Sequence, residues 1–322
     1  MPSLKEIKNR IASVNSTRKI TSAMKMVASS KLHHAQVMIE NMLPYESMLE
    51  HILKTFLASE ADAQNVFTEE REVKNIAFVV YSSNSSLCGG FNANIIKLLL
   101  QTIEEYTHLG KEHILIYPIG RKVAEKVEKL GYRSAGDFTN LADKPNVAEC
   151  IDIARQIGKK FIDGEIDKVE LIYHHFKSAG SQILTRKTFL PIDIHSAELI
   201  NKDERDLTTH VVTKKAQDYL RANQRDKEKT TEQAKPLADN FIVEPDMNSV
   251  LSSLIPKLAH LMLYTALLDS NASEHAARMV AMQTATDNAD ELLRELSLQY
   301  NKSRQQAITN ELLDIVGGSV NN

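Results

Sequence analysis

Apolar side chains near the amino terminus recur at alternating steps of four and three residues, beginning at Ile7. The positions that continue this spacing are Ile11, Val14, Arg18, Thr21, Lys25, Ala28, Leu32, Ala35, Ile39, Met42, Glu46, Leu49, Leu53 and Phe56. Most of them are apolar, as the seam of a coiled coil requires. Ser3 and Glu6 precede the seam with the spacing of a capping box, which marks a helix start. We therefore predict an amino-terminal coiled-coil helix over 1–57.

This helix would be about 80 Å long at ~1.5 Å per residue, so we expect it to project as an arm from any compact domain. Its seam is interrupted between Arg18 and Lys25. We expect Ile20, Met24 and Val27 to carry the apolar face there instead. Such a phase slip would locally alter the supercoil.

The carboxy-terminal part of the chain predicts a second long helix, over 246–318, which ends at a double glycine. Its apolar residues at helical spacing are Leu251, Leu254, Leu258, Leu261, Leu268, Ala272, Met279 and Met282. Pro256 predicts a kink or a late start. Two long helices at opposite ends of one chain are most simply paired antiparallel.

The segment EHAARMVAMQTATDN (274–288) surrounds this helix with Ala, Met and Thr on nearly all sides. A two-helix seam needs apolar residues on only one face. One explanation is a wider helix bundle. The other is a second partner that surrounds the arm, because adaptable Met and small Ala side chains can contact several different surfaces.

The middle of the chain, 73–195, alternates strand and helix signals and predicts a central α/β, Rossmann-like domain with a mostly parallel sheet. Its strand-like segments are IAFVVY (76–81), HILIYPIG (113–120), and KVELIYHHF (168–176) with its hairpin partner QILTRKTFLPI (182–192). The following stretch, 196–240, is charged and predicts an insertion or linker with one short helix around Thr213–Asn223. The predicted fold class is α+β overall, a long antiparallel two-helix coiled coil plus the α/β domain.

Charge and cysteine content exclude several classes of protein. The 322 residues carry 39 basic and 42 acidic side chains, a net charge of −3, which disfavours a nucleic-acid binder driven by overall charge. Cys88 and Cys150 have no metal-ligand spacing, which favours a reducing compartment. No apolar run approaches ~18 residues, so we expect no membrane span. The start, MPSLKEIKNRI, has no signal-peptide core and resembles a mature cytosolic start.

Candidate chemistry is sparse. The segment SSNSSLCGGFN (82–92) follows a strand and precedes a helix, where glycines can hold a phosphate. It matches neither phosphate-binding glycine motif, so we favour a tight turn, and Cys88 has no base at a recognisable spacing. The pairs His33–His34 and His174–His175 are adjacent and point in different directions. We therefore expect no catalytic residue, no metal site and no cofactor.

Four stretches of the chain resemble the gamma subunit of F-type ATP synthases, over nearly the whole length. They are LKEIKNRIASVNSTRKITSAMKMVASSKL (4–32), LCGGFN (87–92), NASEHAARMVAMQTATDNADELL (271–293) and YNKSRQQAITNELLDIVGGS (300–319). Three departures stand out. Asn84–Ser86 replaces the family's Asp-Arg-Gly, Ser319 replaces an alanine, and the charged segment 196–235 looks like an insertion without cysteine. The bacterial form of the complex fits best.

The resemblance implies a non-catalytic rotor subunit of the central stalk that couples proton flow to ATP synthesis or hydrolysis. It implies the alpha and beta subunits, the epsilon subunit and the membrane c-ring as partners, at the cytoplasmic face of the bacterial plasma (inner) membrane. It also implies contacts with beta. Their candidate residues are Arg304, Gln305, Thr309, Met24, Lys25 and Arg278. Met24 could instead be a seam residue, and Arg278 could instead pair within the coil.

Two other functions make different predictions. A nucleotide-binding α/β enzyme would bind ATP or NAD saturably as an isolated chain. A static coiled-coil scaffold would associate with itself through its arms, without alpha and beta subunits.

Overall fold

A computed structural model of the chain describes residues 3–59, 66–192, 244 and 247–319. The predicted charged segment 196–240, with its short helix, lies outside the described residues. The chain divides into two compact units, whose borders fall inside its two longest helices. We call them the coil unit (Met1–Ala28 with Arg278–Asn322) and the sheet unit (Ser29–Ala277).

The described residues form long helices at both ends and an alternation of strands and helices between them. The elements are α1 (Leu4–Ser59), β1 (Ile76–Tyr81), α2 (Phe91–Glu105), β2 (Ile114–Ile119), α3 (Arg121–Leu130), β3 (Arg133–Ser134), α4 (Thr139–Asp143), α5 (Val147–Ile162), β4 (Lys168–Ser178), β5 (Ser181–Leu190) and α6 (Met247–Ser319). Three short 3-10 helices lie at Val66–Thr68, Thr107–Leu109 and Lys111–His113. The helix α6 continues through Pro256 from Met247.

The sheet has the strand order β3-β2-β1-β4-β5 and is parallel except for β5. Every residue of β1 is buried, as expected of a central strand covered on both faces. The strands β4 and β5 form the predicted antiparallel hairpin. This order follows the first five positions of a doubly wound sheet. The predicted fold class, with its Rossmann-like central domain, is confirmed.

One core of the sheet unit lies where α2 and α3 pack on β1 and β2. Its residues are Ile76, Phe78, Val80, Ile95, Leu99, Ile103, Ile114, Ile116, Val123, Val127 and Ile172. The apolar positions of α2 recur every four residues at Ile95, Leu99 and Ile103 and therefore share one face of that helix.

The first part of α6 belongs to the sheet unit and is buried on nearly all sides from Leu261 to Ala276, with Leu263 and Ala272 fully enclosed. Tyr81, the last residue of β1, donates a hydrogen bond from its hydroxyl to the carbonyl oxygen of Leu263 at 2.9 Å. Asn271 Nδ2 donates to the carbonyl oxygen of Ala142 at 2.8 Å. By length and composition alone α6 could cross a membrane, but more than half of its most apolar window is buried inside the protein. Core helices of soluble proteins pass the same test.

The coil unit pairs α1 and α6 antiparallel. Arg18 Nη1 lies 2.9 Å from Asp290 Oδ1, and the hydroxyl groups of Thr21 and Thr286 lie 2.8 Å apart. As residue numbers rise along α1, those of its partners on α6 fall, which is the antiparallel arrangement that the sequence predicts. The start of α1 carries the predicted capping box, with the Ser3 amide donating to Glu6 and the Glu6 amide donating to Ser3 Oγ.

The predicted phase slip of the seam is wrong. Ile20 is 60% exposed and Val27 is 58% exposed, whereas Thr21 is buried in the seam. Arg18 and Thr21 keep their seam positions because each has a hydrogen-bonding partner on α6, so Thr21 is buried without an unsatisfied group. The seam is therefore continuous in register but polar in one layer.

Candidate partner-binding surface

A polar layer, made of Arg18, Thr21, Thr286 and Asp290, fixes how the two helices of the coil unit meet. The Arg18–Asp290 pair is half-exposed, with side-chain exposures of 39% and 42%. Each threonine hydroxyl also lies near a carbonyl oxygen of its own helix, Thr21 Oγ1 at 3.0 Å from that of Arg18 and Thr286 Oγ1 at 2.8 Å from that of Met282. Because each hydroxyl has one proton, one of the two donates across the seam and the other donates within its own helix. A layer of this kind selects one register, because a slip would leave these groups without their partners.

Large apolar side chains are exposed on the outside of the coil unit. They are Ile20, Met26 and Val27 on α1, and Val280, Leu292, Leu298, Ile308, Leu312 and Leu313 on α6. We call them the exposed apolar set. Large apolar groups exposed in such number on one unit favour contact with a partner, since soluble proteins rarely leave large apolar surfaces uncovered. The alternative of a wider bundle needs further helices, and within the described residues this unit contains only segments of α1 and α6.

The predicted contact residues near the carboxyl end of α6 are exposed. Arg304, Gln305 and Thr309 all lie at the surface. The Thr309 hydroxyl donates to the carbonyl oxygen of Gln305 at 2.9 Å, so it is engaged within its own helix. Arg304 has no ion pair with any described residue, and its guanidinium has five N–H donors that can bind a carboxylate or carbonyl of another chain.

The predicted contact residues on α1 lie in a different part of the same unit. Met24 and Lys25 are half-buried, as fits residues at the margin of the seam. The register of the polar layer places Met24 level with Gln283 and Thr284 of α6. Arg304 is about 20 residues farther along α6, or roughly 30 Å at ~1.5 Å per residue. The structure therefore does not bring the two predicted groups together.

Arg278 is half-buried and takes part in an interaction within the chain. Sequence reasoning named this residue but missed the polar layer and most of the exposed apolar set. The signal for the polar layer was present, since Arg18 and Thr21 occupy the four-three spacing itself. These two polar residues were interpreted as an interruption of the seam, because the spacing within α1 does not reveal their hydrogen-bonding partners on α6.

The loop after β1 is a tight turn whose polar groups bind one another. Asn92 Nδ2 donates to Ser83 Oγ at 2.7 Å and to Cys88 Sγ at 3.1 Å, and the Ser83 amide donates to Asn92 Oδ1 at 3.1 Å. Gly89 has a φ of 59°, which favours glycine. Cys88 is buried. Ser83, Cys88 and Asn92 are thus engaged in holding the loop itself.

Asn84 joins this loop to α3 and α4. Its Oδ1 accepts a hydrogen bond from the Arg121 amide at 2.9 Å, and its Nδ2 donates to the carbonyl oxygen of Thr139 at 2.7 Å. Arg121 Nε donates to the Asn84 carbonyl oxygen at 3.1 Å. Asn84 therefore serves local structure, since it satisfies an amide at the start of α3.

The two central histidines have different environments. The His174 ring stacks on Phe91 with 4.4 Å between ring centroids, and burial lowers the pKa of His174 to about 4. His175 Nδ1 lies 2.8 Å from Asp269 Oδ2. Among the described residues, no group of three or more His, Cys, Asp or Glu side chains could hold a metal ion.

A family model described as ATP synthase matches residues 3–320 of the chain. The ATP synthase gamma chain of Phocaeicola vulgatus is 53% identical over 320 residues, which are 99% of this chain and 100% of that relative.

Solved structures of ATP synthases share the fold. The rotational state 3 structure of OSCP, F1 and c-ring from Euglena gracilis mitochondrial ATP synthase contains a chain with a TM-score of 0.58 and 17% identity, over 98% of this chain and 93% of the other. The central stalk and c-ring structure from Tetrahymena thermophila mitochondrial ATP synthase contains one with a TM-score of 0.53 and 23% identity, over 83% and 99%. At these identities the likeness shows the fold alone.

Proposed function

Because this chain belongs to the ATP synthase gamma chain family, we propose that it is the rotor of the central stalk of its complex and couples rotation mechanically to ATP synthesis or hydrolysis. It performs no bond chemistry itself, and catalysis belongs to the beta subunits. The observation that carries this proposal is the exposed apolar set on a two-helix coil. A static packing element would bury these side chains, whereas a shaft inside a ring of subunits presents them to its neighbours.

The coil unit acts on its neighbours through differences in contact energy. A rotor shifts a catalytic site between open and closed forms only if it contacts the two forms with different free energies. Driving such a site from 1:99 to 99:1 takes ~5.5 kcal/mol. A few charge-assisted hydrogen bonds together with contacts of the exposed apolar set are sufficient for a difference of that size.

Arg304 and Gln305 supply the polar part of this contact. Both side chains are exposed near the carboxyl end of α6, and they hydrogen-bond a loop of beta. Thr309 lies one turn farther along and supports the position of Gln305 through its hydrogen bond to that residue's carbonyl oxygen. Met24 and Lys25 contact beta at a second level, about 30 Å away along the coil. Arg278 is a further contact of α6.

The partners are the alpha and beta subunits, the epsilon subunit and the membrane c-ring. The Tetrahymena thermophila structure joins a central stalk to a c-ring, and the Euglena gracilis structure joins F1 to one. By the same arrangement, this chain lies at the cytoplasmic face of the bacterial plasma (inner) membrane as a peripheral subunit and couples to proton flow. It requires no cofactor.

Reconstitution tests the proposal directly. The alpha and beta subunits are assembled with and without this chain, and rotation of a tagged chain is followed during ATP hydrolysis. We expect copurification and rotation. Saturable binding of ATP or NAD by the isolated chain would favour a nucleotide-binding enzyme instead. Self-association through the arms, without alpha and beta, would favour a static scaffold.

Arg304→Ala tests the polar contact. We expect ATP-driven proton pumping by the assembled complex to fall more than ATP hydrolysis does, because the variant removes a contact between rotor and beta. Arg304→Lys is the matched variant, since it keeps the charge but loses the planar fork of donors, and its effect should be intermediate. Normal pumping in the assembled Arg304→Ala complex would refute the contact.

A further inference from the structure

A cavity of about 250 Å³ lies in the sheet unit, between α5, α6 and the end of β5. Its apolar lining consists of Phe67, Ala154, Gly158, Ile162, Phe189, Leu190, Pro256 and Ala259. Small residues on both helices open the space, since Ala154 and Gly158 of α5 and Ala259 of α6 have little or no side chain. Ile162 is exposed and Phe189 is fully buried, so the cavity leads from the surface to the core.

Basic side chains make up the polar part of the lining. Arg155, Lys159 and His260 lie there, and the lining includes no carboxylate. The Arg155 side chain is 70% exposed, and its nearest carboxylate, Asp152, is 3.7 Å away, longer than a hydrogen bond. The pKa of His260 is lowered, first by burial and then by the charge of Arg155. Arg155 keeps only a long ion pair with Asp152, so Arg155 and Lys159 together leave positive charge at the opening that would favour an anion there.

We propose that this cavity binds a single-chain amphiphilic carboxylate, with the alkyl chain against the apolar lining and the carboxylate between Arg155 and Lys159. The charge selects an anion, and Arg155 can bind a carboxylate with two parallel hydrogen bonds. The volume selects one short chain. It is below the ~300–1,000 Å³ of pockets for drug-sized ligands, which disfavours a two-chain lipid or a ring-bearing cofactor. This ligand site is independent of the rotor contacts.

Calorimetric titration of the full chain with hexanoate and octanoate tests the proposal. We expect saturable binding of one molecule per chain. Each added methylene should tighten binding about fourfold until the cavity is full, since each buries a further CH₂ group. The uncharged probe 1-octanol should bind about tenfold more weakly than octanoate, because it lacks the charge-assisted hydrogen bonds.

Arg155→Gln should weaken octanoate binding about tenfold. Arg155 is exposed, so this variant should keep the melting temperature of the parent chain. Lys129→Gln is the matched control, an exposed basic residue in α3 outside the cavity lining, and it should leave binding unchanged. Ala259→Leu fills the cavity and should abolish binding. If Ala259→Leu does not fold, the Arg155→Gln titration decides.

Three outcomes would overturn the proposal. In the first, the wild-type chain shows no saturable binding of octanoate. The natural occupant of the cavity would then be another part of the chain or an acidic segment of a partner protein. Alternatively, 1-octanol binds as tightly as octanoate, which makes the cavity an apolar void without an anion site. Finally, Arg155→Gln binds octanoate as well as the Lys129→Gln control does.

Discussion

The helix α6 has two different environments along its length. Within the sheet unit, from Leu261 to Ala276, it is buried on nearly all sides and donates or accepts side-chain hydrogen bonds with strands and helices around it. Within the coil unit it has one partner helix, and Leu298 is 71% exposed. The same helix is therefore part of the buried core in the sheet unit and has an exposed apolar surface in the coil unit. Apolar composition alone does not distinguish these two uses.

The ionic groups of the two units repeat this contrast. Glu170 of the sheet unit is 2% exposed and binds Lys168 at 2.9 Å and Arg186 at 2.7 Å, whereas Asp290 of the coil unit is 42% exposed and binds Arg18 at 2.9 Å. Water screens the second pair but not the first. The distances are similar, so burial decides the difference in energy.

The largest expected effect comes from breaking these two pairs. Glu170→Gln should destabilise the chain by about 3–5 kcal/mol, because it leaves Lys168 and part of Arg186 without their buried partner. Asp290→Asn should cost about 0–1 kcal/mol. Urea unfolding of both variants measures the two values. Equal losses would show that burial does not separate the units energetically.

Truncation of a leucine in each environment gives the next effect. Leu263→Ala in the sheet unit should destabilise the isolated chain by about 2–5 kcal/mol, since it leaves a cavity in a fully buried site. Leu298→Ala in the coil unit should change stability by no more than about 0.5 kcal/mol. Denaturant unfolding gives both values. In the assembled complex Leu298→Ala should weaken retention of the chain, and unchanged retention would remove Leu298 from the contact surface.

The pH dependence of stability sharpens the ionic contrast. Burial acts to raise the pKa of Glu170, but the hydrogen bonds from Arg186 and Lys168 outweigh it and hold this pKa below its ordinary value. The native state therefore binds fewer protons than the unfolded state, and this stability is present above the ordinary glutamate pKa of about 4.3. It should be lost as the pH falls through and below that value. Glu170→Gln should flatten that acid limb in unfolding measured from pH 7 to pH 3, and an unchanged limb would contradict the assignment.

The threonine pair of the polar layer should give a smaller effect than the buried groups of the sheet unit. Thr21→Val leaves Thr286 without its cross-helix partner and should cost about 1 kcal/mol. Thr21→Val combined with Thr286→Val removes both hydroxyls and should recover much of that loss. A double-mutant cycle by urea unfolding measures the coupling. Additive losses would mean that the hydroxyls do not interact.

Sequence patterns predicted the strands and the long helices because these depend on local periodicity. The continuous apolar run at 76–81 is typical of a strand covered on both faces, and the structure places β1 there at the centre of the sheet. The candidate residues for contact with beta did not come from local periodicity. Arg304 and Gln305 came from resemblance, and their contact with beta stays a prediction. The cavity beside Arg155 has no sequence signal, since its lining comes from four separate segments.

The sequence by itself determined the α+β class, a mostly parallel sheet and the presence of two long helices, because these follow from the local spacing and the alternation of strand and helix patterns. The tertiary structure decided which polar residues are tolerated in the seam. Thr21 and Thr286 are 265 residues apart in the chain, and each hydroxyl has the other as its cross-helix hydrogen-bonding partner. It also decided which part of α6 is core and which is surface. The physical reason is that burial and hydrogen-bond satisfaction belong to pairs of distant groups, whereas periodicity belongs to one segment.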